Sequence, residues 1–408
     1  AAFRDLGLEI GSPYEYRKEI RACEVAAEWA EEKIKEYEIT PLVINSAASD
    51  YAPSLYGDQG LVFTSDRSAS TGEDEYNWTG ESFSDLFILD LATDQVNSFP
   101  GDFNTEANEG TLALSADGKL LLFTRCTAPK GMDAFCKIMY SEQLTGGGWT
   151  VPIVLPFQKS GVNYMHPALS ADGKTLFFSA DDEEGWGGFD IYQVTRDENQ
   201  WGEPQLLSRS VNSTADDQFP SLDADTLYFS SAGHTGLGGL DVFRSYQLPS
   251  GNWAPAFNLK TPVNSGSDDF GFIVDRRPGT QIDGALATGY FSSRRGEVGS
   301  DDLYQYQKVV RPPVQEEGPV EEIVYRNVLD IYVVEKIYAD PGNPNSEVLG
   351  KRPLPGSQLT IQLGREEQTV EVGEEGKISL ELQRNTLYDF FAQKEGYLNN
   401  DSKFSSIG

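Results

Sequence analysis

The feature that most limits what this chain can fold into is an internal repeat. Two copies show it best. Pro204-Gln205-Leu206-Leu207 leads through Val211-Asn212-Ser213, Asp216-Asp217, Phe219-Pro220-Ser221-Leu222 and Leu227-Tyr228-Phe229-Ser230 to Gly238-Gly239-Leu240-Asp241-Val242-Phe243 and Trp253-Ala254-Pro255. One copy earlier the same order reads His166-Pro167-Ala168-Leu169, Leu176-Phe177-Phe178-Ser179, Gly187-Gly188-Phe189-Asp190-Ile191-Tyr192 and Trp201-Gly202-Glu203-Pro204. An Asn that closes each unit's last strand falls at Asn45, Asn104, Asn163, Asn212 and Asn264, and a strand-end Phe at Phe63, Phe123, Phe178, Phe229 and Phe291. Both landmarks count five copies of a unit of roughly 50–60 residues, each holding four short period-two runs. Tandem four-stranded units bury their faces against one another around an axis, which is a β-propeller.

The phase of the repeat predicts how the ring closes. Thr40 to Asn45 matches a fourth strand yet precedes the first copy, and the fifth copy ends at its third strand, Asp302 to Tyr306. The strand around Leu42–Ile44 is therefore expected to pair with that around Leu303–Tyr306 and remove the open edges. Five blades is the expectation, with six as the alternative, although the interval from Phe229 to Phe291 leaves no room for a hidden copy.

Around this propeller, expected over 40–308, the sequence divides further. Residues 1–39 read as a helical segment: Tyr16, Ile20, Cys23, Ala27, Ala30, Ile34 and Tyr37 recur at spacings of three and four between Pro13 and Glu38. Residues 309–321, with Pro312-Pro313 and Glu316-Glu317-Gly318-Pro319, have the composition of a linker. Strand patterns at Val324–Val334, Gln358–Leu363, Thr369–Val372, Ile378–Leu382 and Tyr388–Gln393 then predict a small transthyretin- or immunoglobulin-like β-sandwich over 322–408. The fold class expected is mainly β.

Charge narrows the partners. Lys and Arg number 32 against 64 Asp and Glu, a net −32, so phosphate backbones and anionic headgroups are repelled and nucleic acid is excluded as a partner. No apolar run reaches the ~20 residues of a transmembrane helix. With His166, His234, Cys23, Cys126 and Cys136 the whole supply of His and Cys, a zinc site is poorly provided for, and no cofactor is expected. Cys126 ends one strand and Cys136 begins the next, and paired strands bring Cα atoms to the roughly 5.5 Å a disulfide needs, so a Cys126–Cys136 bridge is predicted. Cys23 should stay reduced.

The helix-to-propeller junction Ile44-Asn45-Ser46 through Leu55, the Ala-Leu-Ser-Ala-Asp-Gly-Lys segments at 113–119 and 168–174, the Gly-Gly-x-Asp loops and Lys394-Glu395-Gly396-Tyr397-Leu398 together resemble one family. Its members are Bacteroidetes outer-membrane-associated proteins that combine tetratricopeptide repeats, a propeller of WD-like repeats, a carboxypeptidase-regulatory-like sandwich and a C-terminal OmpA-type domain. The best known of them belong to the type IX secretion and gliding machinery. The resemblance implies a periplasmic scaffold, associated with the outer membrane, whose partners are proteins of a secretion or gliding complex. Peptidoglycan would be reached only through the OmpA-type domain, which this sequence lacks, as expected of a fragment. An oxidising periplasm also favours the disulfide.

Candidate chemistry is sparse. Asp117-Gly118 and Asp172-Gly173 read as type I′ hairpin turns rather than calcium loops. Asp85, Asp190, Asp241 and Asp302 recur at the start of the third strand, with Lys137 in that place in the second copy, and recurrence argues for architecture. The paired carboxylates Asp216-Asp217, Asp268-Asp269 and Asp301-Asp302 point to opposite faces of a strand, so adjacency implies no glycosidase pair. The acidic run from Asp181 to Glu184 reads as a solvated loop. No Gly-x-Ser-x-Gly elbow occurs. Catalysis is not expected. The partner-binding candidates are Tyr76, Trp78, Trp186, His234, Leu237, Arg294 and Arg295, all between second and third strands and so on one propeller face. The alternative is a carbohydrate-binding or glycoside-hydrolysing propeller.

Overall fold

The computed structural model describes residues 22–29, 35–68, 70–71, 83–127, 135–197, 200–296, 300–309, 328–343, 345–363, 366–383 and 386–406. The chain divides into two compact units, Val25–Pro312 and Ala1–Glu24 together with Pro313–Gly408.

Val25–Pro312 contains a five-bladed propeller. Blade 1 is Asp50–Tyr56, Gly60–Ser65, Asp85–Asp90 and Gln95–Ser98; blade 2 is Asn108–Leu114, Leu120–Thr127, Phe135–Glu142 and Ile153–Val154. Blade 3 is Tyr164–Leu169, Thr175–Ala180, Asp190–Asp197 and Gln205–Leu206; blade 4 is Asp217–Asp223, Thr226–Ser231, Asp241–Tyr246 and Phe257–Asn258. Blade 5 has Asp269–Asp275, Ala285–Ser293 and Asp302–Val309, and its outer strand is Tyr37–Pro41 from the other end of the unit. Blade 1 packs on blade 5 through Leu61, Phe63, Phe87 and Leu89 against Tyr290 and Leu303. Each of the other four interfaces likewise has its own buried cluster. Five clusters for five interfaces is the packing of a closed ring.

The closing strand is displaced from its expected position. It is Tyr37–Pro41 rather than Leu42–Ile44, and Tyr37 lies opposite Lys308 while Pro41 lies opposite Tyr304. The helix therefore does not reach Glu38; within the predicted stretch the described helical residues are 22–29. Tyr37 fits both a helical stripe and a strand, and burial decides for the strand: its ring sits edge-on to Phe272 and Tyr306, 6.3 and 5.6 Å away. The expected linker lies almost wholly outside the described residues.

Why these residues make blades is visible in the second and third strands. Phe63, Phe178, Phe229 and Phe291 stand directly opposite Phe87, Tyr192, Phe243 and Tyr304, and each pair stacks. Blade 2 substitutes Met139 opposite Phe123. Fully burying one such Phe is worth roughly 1.5–3 kcal/mol, so the five positions are a principal source of stability.

In the second unit, Glu366–Glu371, Gln358–Leu363, Leu387–Gln393 and Asn400–Ser405 form one sheet in that order. Val328–Tyr332 pairs with Lys377–Glu381, and Val334–Tyr338 with Val348–Pro353. The core holds Val333, Leu354, Leu359, Ile361, Val372, Tyr388 and Phe390, which makes this a β-sandwich. Its Val348–Pro353 and Asn400–Ser405 strands carry too little alternation to be read from sequence.

Candidate functional site

The repeated motifs build the propeller. In blades 1, 3 and 4 the third-strand Asp uses one carboxylate oxygen to hold its own loop. Asp85 Oδ2 accepts from Thr71 N and Oγ1 at 2.6 and 2.7 Å, and Asp190 Oδ2 from Trp186 N and Gly187 N at 2.6 and 3.0 Å. Asp241 Oδ2 accepts from Leu237 N. The other oxygen of all three is buried with no hydrogen-bond partner among the described residues. Burial accordingly raises their pKa values, that of Asp241 to about 7 with help from the charge of Asp269.

The recurring Asn brackets the strand residue that follows this Asp. Asn212 accepts from Ile191 N at 2.8 Å and donates to Ile191 O at 3.0 Å; Asn264 does the same to Val242, Asn104 to Leu86 and Asn45 to Leu303. Asn163 is not the fifth member. Gln158 brackets Ile138 instead, accepting at 2.9 Å and donating at 2.7 Å, while Asn163 bonds Asp181 and Cys136 N.

The Gly-Gly and Asp-Asp pairs are two halves of a latch between blades. Leu240 N donates to Asp268 Oδ1 at 2.8 Å, and Asp269 N to Leu240 O at 2.6 Å. Phe189 repeats both bonds with Asp216 and Asp217. The glycines are required because the next blade's backbone lies against them: a Cβ on Gly238 would stand 2.5 Å from Gly266 C. The second Asp of each pair instead caps its own blade's lead-in, as Asp269 Oδ2 does for Ser265 N at 2.6 Å. Each carboxylate of a pair thus has a separate structural task.

At Asp117-Gly118 and Asp172-Gly173 only the glycines have positive φ, 71° and 65°, so these turns are type I with a left-handed Gly and not type I′. The acidic run is partly neutralised, since Lys159 Nζ lies 2.6 Å from Asp182 and 3.6 Å from Glu184. The Cys126 and Cys136 sulfurs are bonded, on directly opposed residues of adjacent strands with Cα atoms 3.9 Å apart. Cys23 is free and exposed.

Of the partner-binding candidates, Tyr76 and Trp78 lie outside the described residues. Two others face inward and are corrected. The Arg295 guanidinium bonds Asp269, Pro262 O and Val263 O and lies over the Phe291 and Tyr304 rings. His234 is its blade 4 counterpart, with Nε2 2.6 Å from Val211 O and its ring against Phe229 and Phe243. Arg67 and Arg125 play the same part in blades 1 and 2. Leu237 is half-buried, its backbone committed to Asp241. Arg294 is exposed, 4.0 Å from Asp268. Trp186 is exposed yet fixed: its Nε1 donates to Leu207 O at 3.2 Å, and the Arg209 guanidinium covers its ring at 4.6 Å. Arg209 was not foreseen, because only the fold brings it to Trp186.

A concave feature lies on the propeller axis. The inner strand of every blade carries one left-handed residue at the same position: Ala52, Thr111, His166, Phe219 and Gly271, with φ of 51°, 49°, 55°, 52° and 62°. A register shift accompanies each, and three donate their N–H to a hydroxyl of the preceding blade: Ala52 to Ser292, Thr111 to Thr64 and His166 to Thr124. From these positions the strands run outward along a cavity of about 180 Å³. Rings from four blades adjoin one another beside it: His166 stacks on Phe219 at 3.7 Å, Phe219 lies tilted against Phe270 at 4.7 Å, and Phe270 against Tyr51 at 6.2 Å. Burial holds His166 neutral, with its pKa lowered to about 3. Among the described residues, no Asp, Glu, Lys or Arg lines the cavity.

No family profile and no curated protein matches this chain. Among solved structures it is similar to a thermostable family-43 glycoside hydrolase, at 10% identity over 67% of this chain and 98% of the other, with a TM-score of 0.44. It is also similar to an α-L-arabinofuranosidase from Lactobacillus brevis, at 13% identity over 65% of this chain and 92% of the other, TM-score 0.44. TolB from Acinetobacter baumannii is a third, at 16% identity over 65% of this chain and 56% of the other, TM-score 0.34. The expectation that the chain is not an enzyme is corrected here. Solved structures similar to this chain include glycoside hydrolases. At these identities the likeness extends to the propeller fold alone.

Proposed function

We propose that this chain is the partner-holding part of a periplasmic, outer-membrane-associated scaffold, and that its propeller grips a protein subunit of a secretion or gliding complex through the face bearing the second-to-third-strand loops. The observation that carries this reading is the Trp186–Arg209 pair. An exposed indole already locked by a hydrogen bond and a stacked guanidinium loses little freedom on binding, and Trp and Arg are the residues most enriched among interface hot spots. The net charge of −32 favours a basic partner surface. Tagged full-length protein purified from its native envelope, as wild type, Trp186→Ala and Arg209→Ala, tests it. Losing a hot spot of ~2 kcal/mol lowers affinity roughly 30-fold, so at least one subunit should leave the purified complex. Retention of every subunit by both variants refutes the reading.

The second reading, a carbohydrate-binding or glycoside-hydrolysing propeller, draws its support from the axial cavity, to which all five blades contribute.

A further inference from the structure

We infer that the axial cavity binds an uncharged, hydroxyl-bearing small molecule the size of one sugar ring, with the His166 imidazole as its polar contact. This inference rests on the carbohydrate-binding reading. Each inner strand pairs on one side only, so its other edge faces the axis, where the N–H groups of Ala52, Thr111 and His166 are held by hydroxyls of the preceding blade. Ser54 adds a hydroxyl, while those of Thr111 and Ser221 are held by Thr124 Oγ1 and Phe272 O, and Pro53, Pro167 and Pro220 supply apolar wall. Such a lining offers hydrogen bonds of both senses and no charge with which to pair an ion.

His166 singles out a contact point. It is buried and lines the cavity; its N–H donates to Thr124 Oγ1 and its Nδ1 meets Ser179 Oγ at 3.3 Å. Among the described residues Nε2 has no partner. A neutral imidazole with one nitrogen tied to a hydroxyl presents the other as a single donor or acceptor, which suits a ligand hydroxyl. Its stacking on Phe219 fixes the ring, so the contact is preorganised. Size follows from volume: a cavity of about 180 Å³ suits a small molecule such as one polyhydroxylated ring.

The test uses the full 408-residue chain and saturation-transfer NMR with D-xylose, L-arabinose and N-acetylglucosamine, and with D-glucuronate and D-glucosamine as charged counterparts. A neutral sugar should bind saturably and more tightly than the charged ones. His166→Phe keeps the stacked ring and removes the nitrogens; loss of one hydrogen bond should weaken binding by about 2- to 12-fold. Ser54→Leu narrows the cavity and should weaken it further, while Val151→Ala, at an exposed residue outside the cavity, leaves it unchanged. Tryptophan fluorescence of each variant checks that the propeller is folded. No saturable binding of any neutral sugar up to ~20 mM would overturn both this site and the reading beneath it. Binding that survives both His166→Phe and Ser54→Leu would overturn the site alone, and preference for a charged sugar would overturn the ligand class.

Discussion

Gly238→Ala measures the inter-blade latch directly. The new methyl carbon would stand 2.5 Å from Gly266 C and 2.8 Å from both Gly266 O and Ser265 O, all of them backbone atoms of the lead-in to blade 5. Carbon contacts relax only at ~3.5 Å or beyond, so the two segments must part by about 1 Å. That stretches the 2.6 Å bond from Asp269 N to Leu240 O, and the 2.8 Å bond from Leu240 N to Asp268 Oδ1, past bonding range. One lost bond is neutral and leaves an N–H of fully buried Asp269 unpaired; the other has a charged acceptor. Together they amount to roughly 2–4.5 kcal/mol. Guanidinium unfolding followed by tryptophan fluorescence is the appropriate assay, because all six Trp precede residue 312 and report on the propeller unit only. Gly266→Ala is the control: it makes the same change in the segment facing Gly238, but its Cβ meets nothing within 4 Å. Equal destabilisation by the two variants, or a loss below ~0.5 kcal/mol for Gly238→Ala, would show that the glycines are not held by steric contact.

Three further outcomes are expected. Tyr37→Ala removes a buried ring from the closing strand and should cost about 3–5 kcal/mol in the same assay, whereas an unchanged midpoint would mean that the ring does not close through this strand. Asp241 has a folded pKa raised to about 7 from 3.8, so its contribution is full below pH ~4 and is lost as pH rises through 7; wild-type stability relative to Asp241→Asn should fall by up to about 4 kcal/mol across that window, and parallel pH profiles would contradict the burial argument. In denatured, unreduced protein a thiol reagent should label Cys23 alone and reach Cys126 and Cys136 only after reduction, so labelling of all three before reduction would exclude the bridge.

What could be read from the sequence was whatever repeats with a fixed chemical identity. The copy count, the recurring strand-end Phe and the architectural use of the third-strand Asp follow from comparing copies. Roles that different side chains can fill were hidden. Gln158 replaces an Asn because an amide one methylene longer reaches the same peptide group, and His234 replaces an Arg because a ring nitrogen can bond the same kind of lead-in carbonyl. Tyr37 was ambiguous because its position satisfies both a helical and a strand period. Arg209 and Trp186 are far enough apart in sequence that only the fold joins them.

Blade 2 departs from the repeat at Lys137, Met139 and Gln158, and its Lys137 and disulfide form one coupled change. In blades 1, 3 and 4 the Asp at the head of the third strand turns back to hold the loop that precedes it. Lys137, at that position, turns the other way: its Nζ donates to Lys159 O at 2.5 Å and Val162 O at 2.6 Å, in the lead-in to blade 3, and lies over the Tyr164 ring. A cation cannot accept N–H groups, so position 137 does not supply the acceptor that the Asp provides in blades 1, 3 and 4. The Cys126–Cys136 bridge joins the last turns of the two strands that flank the same loop, one residue from Lys137. A covalent tie thus stands where blades 1, 3 and 4 use a carboxylate, and Lys137 instead secures the neighbouring blade. The disulfide and the missing Asp are therefore one feature: restoring Asp at 137 should make the bridge dispensable for propeller stability, whereas in the native chain its removal should loosen blade 2 before any other.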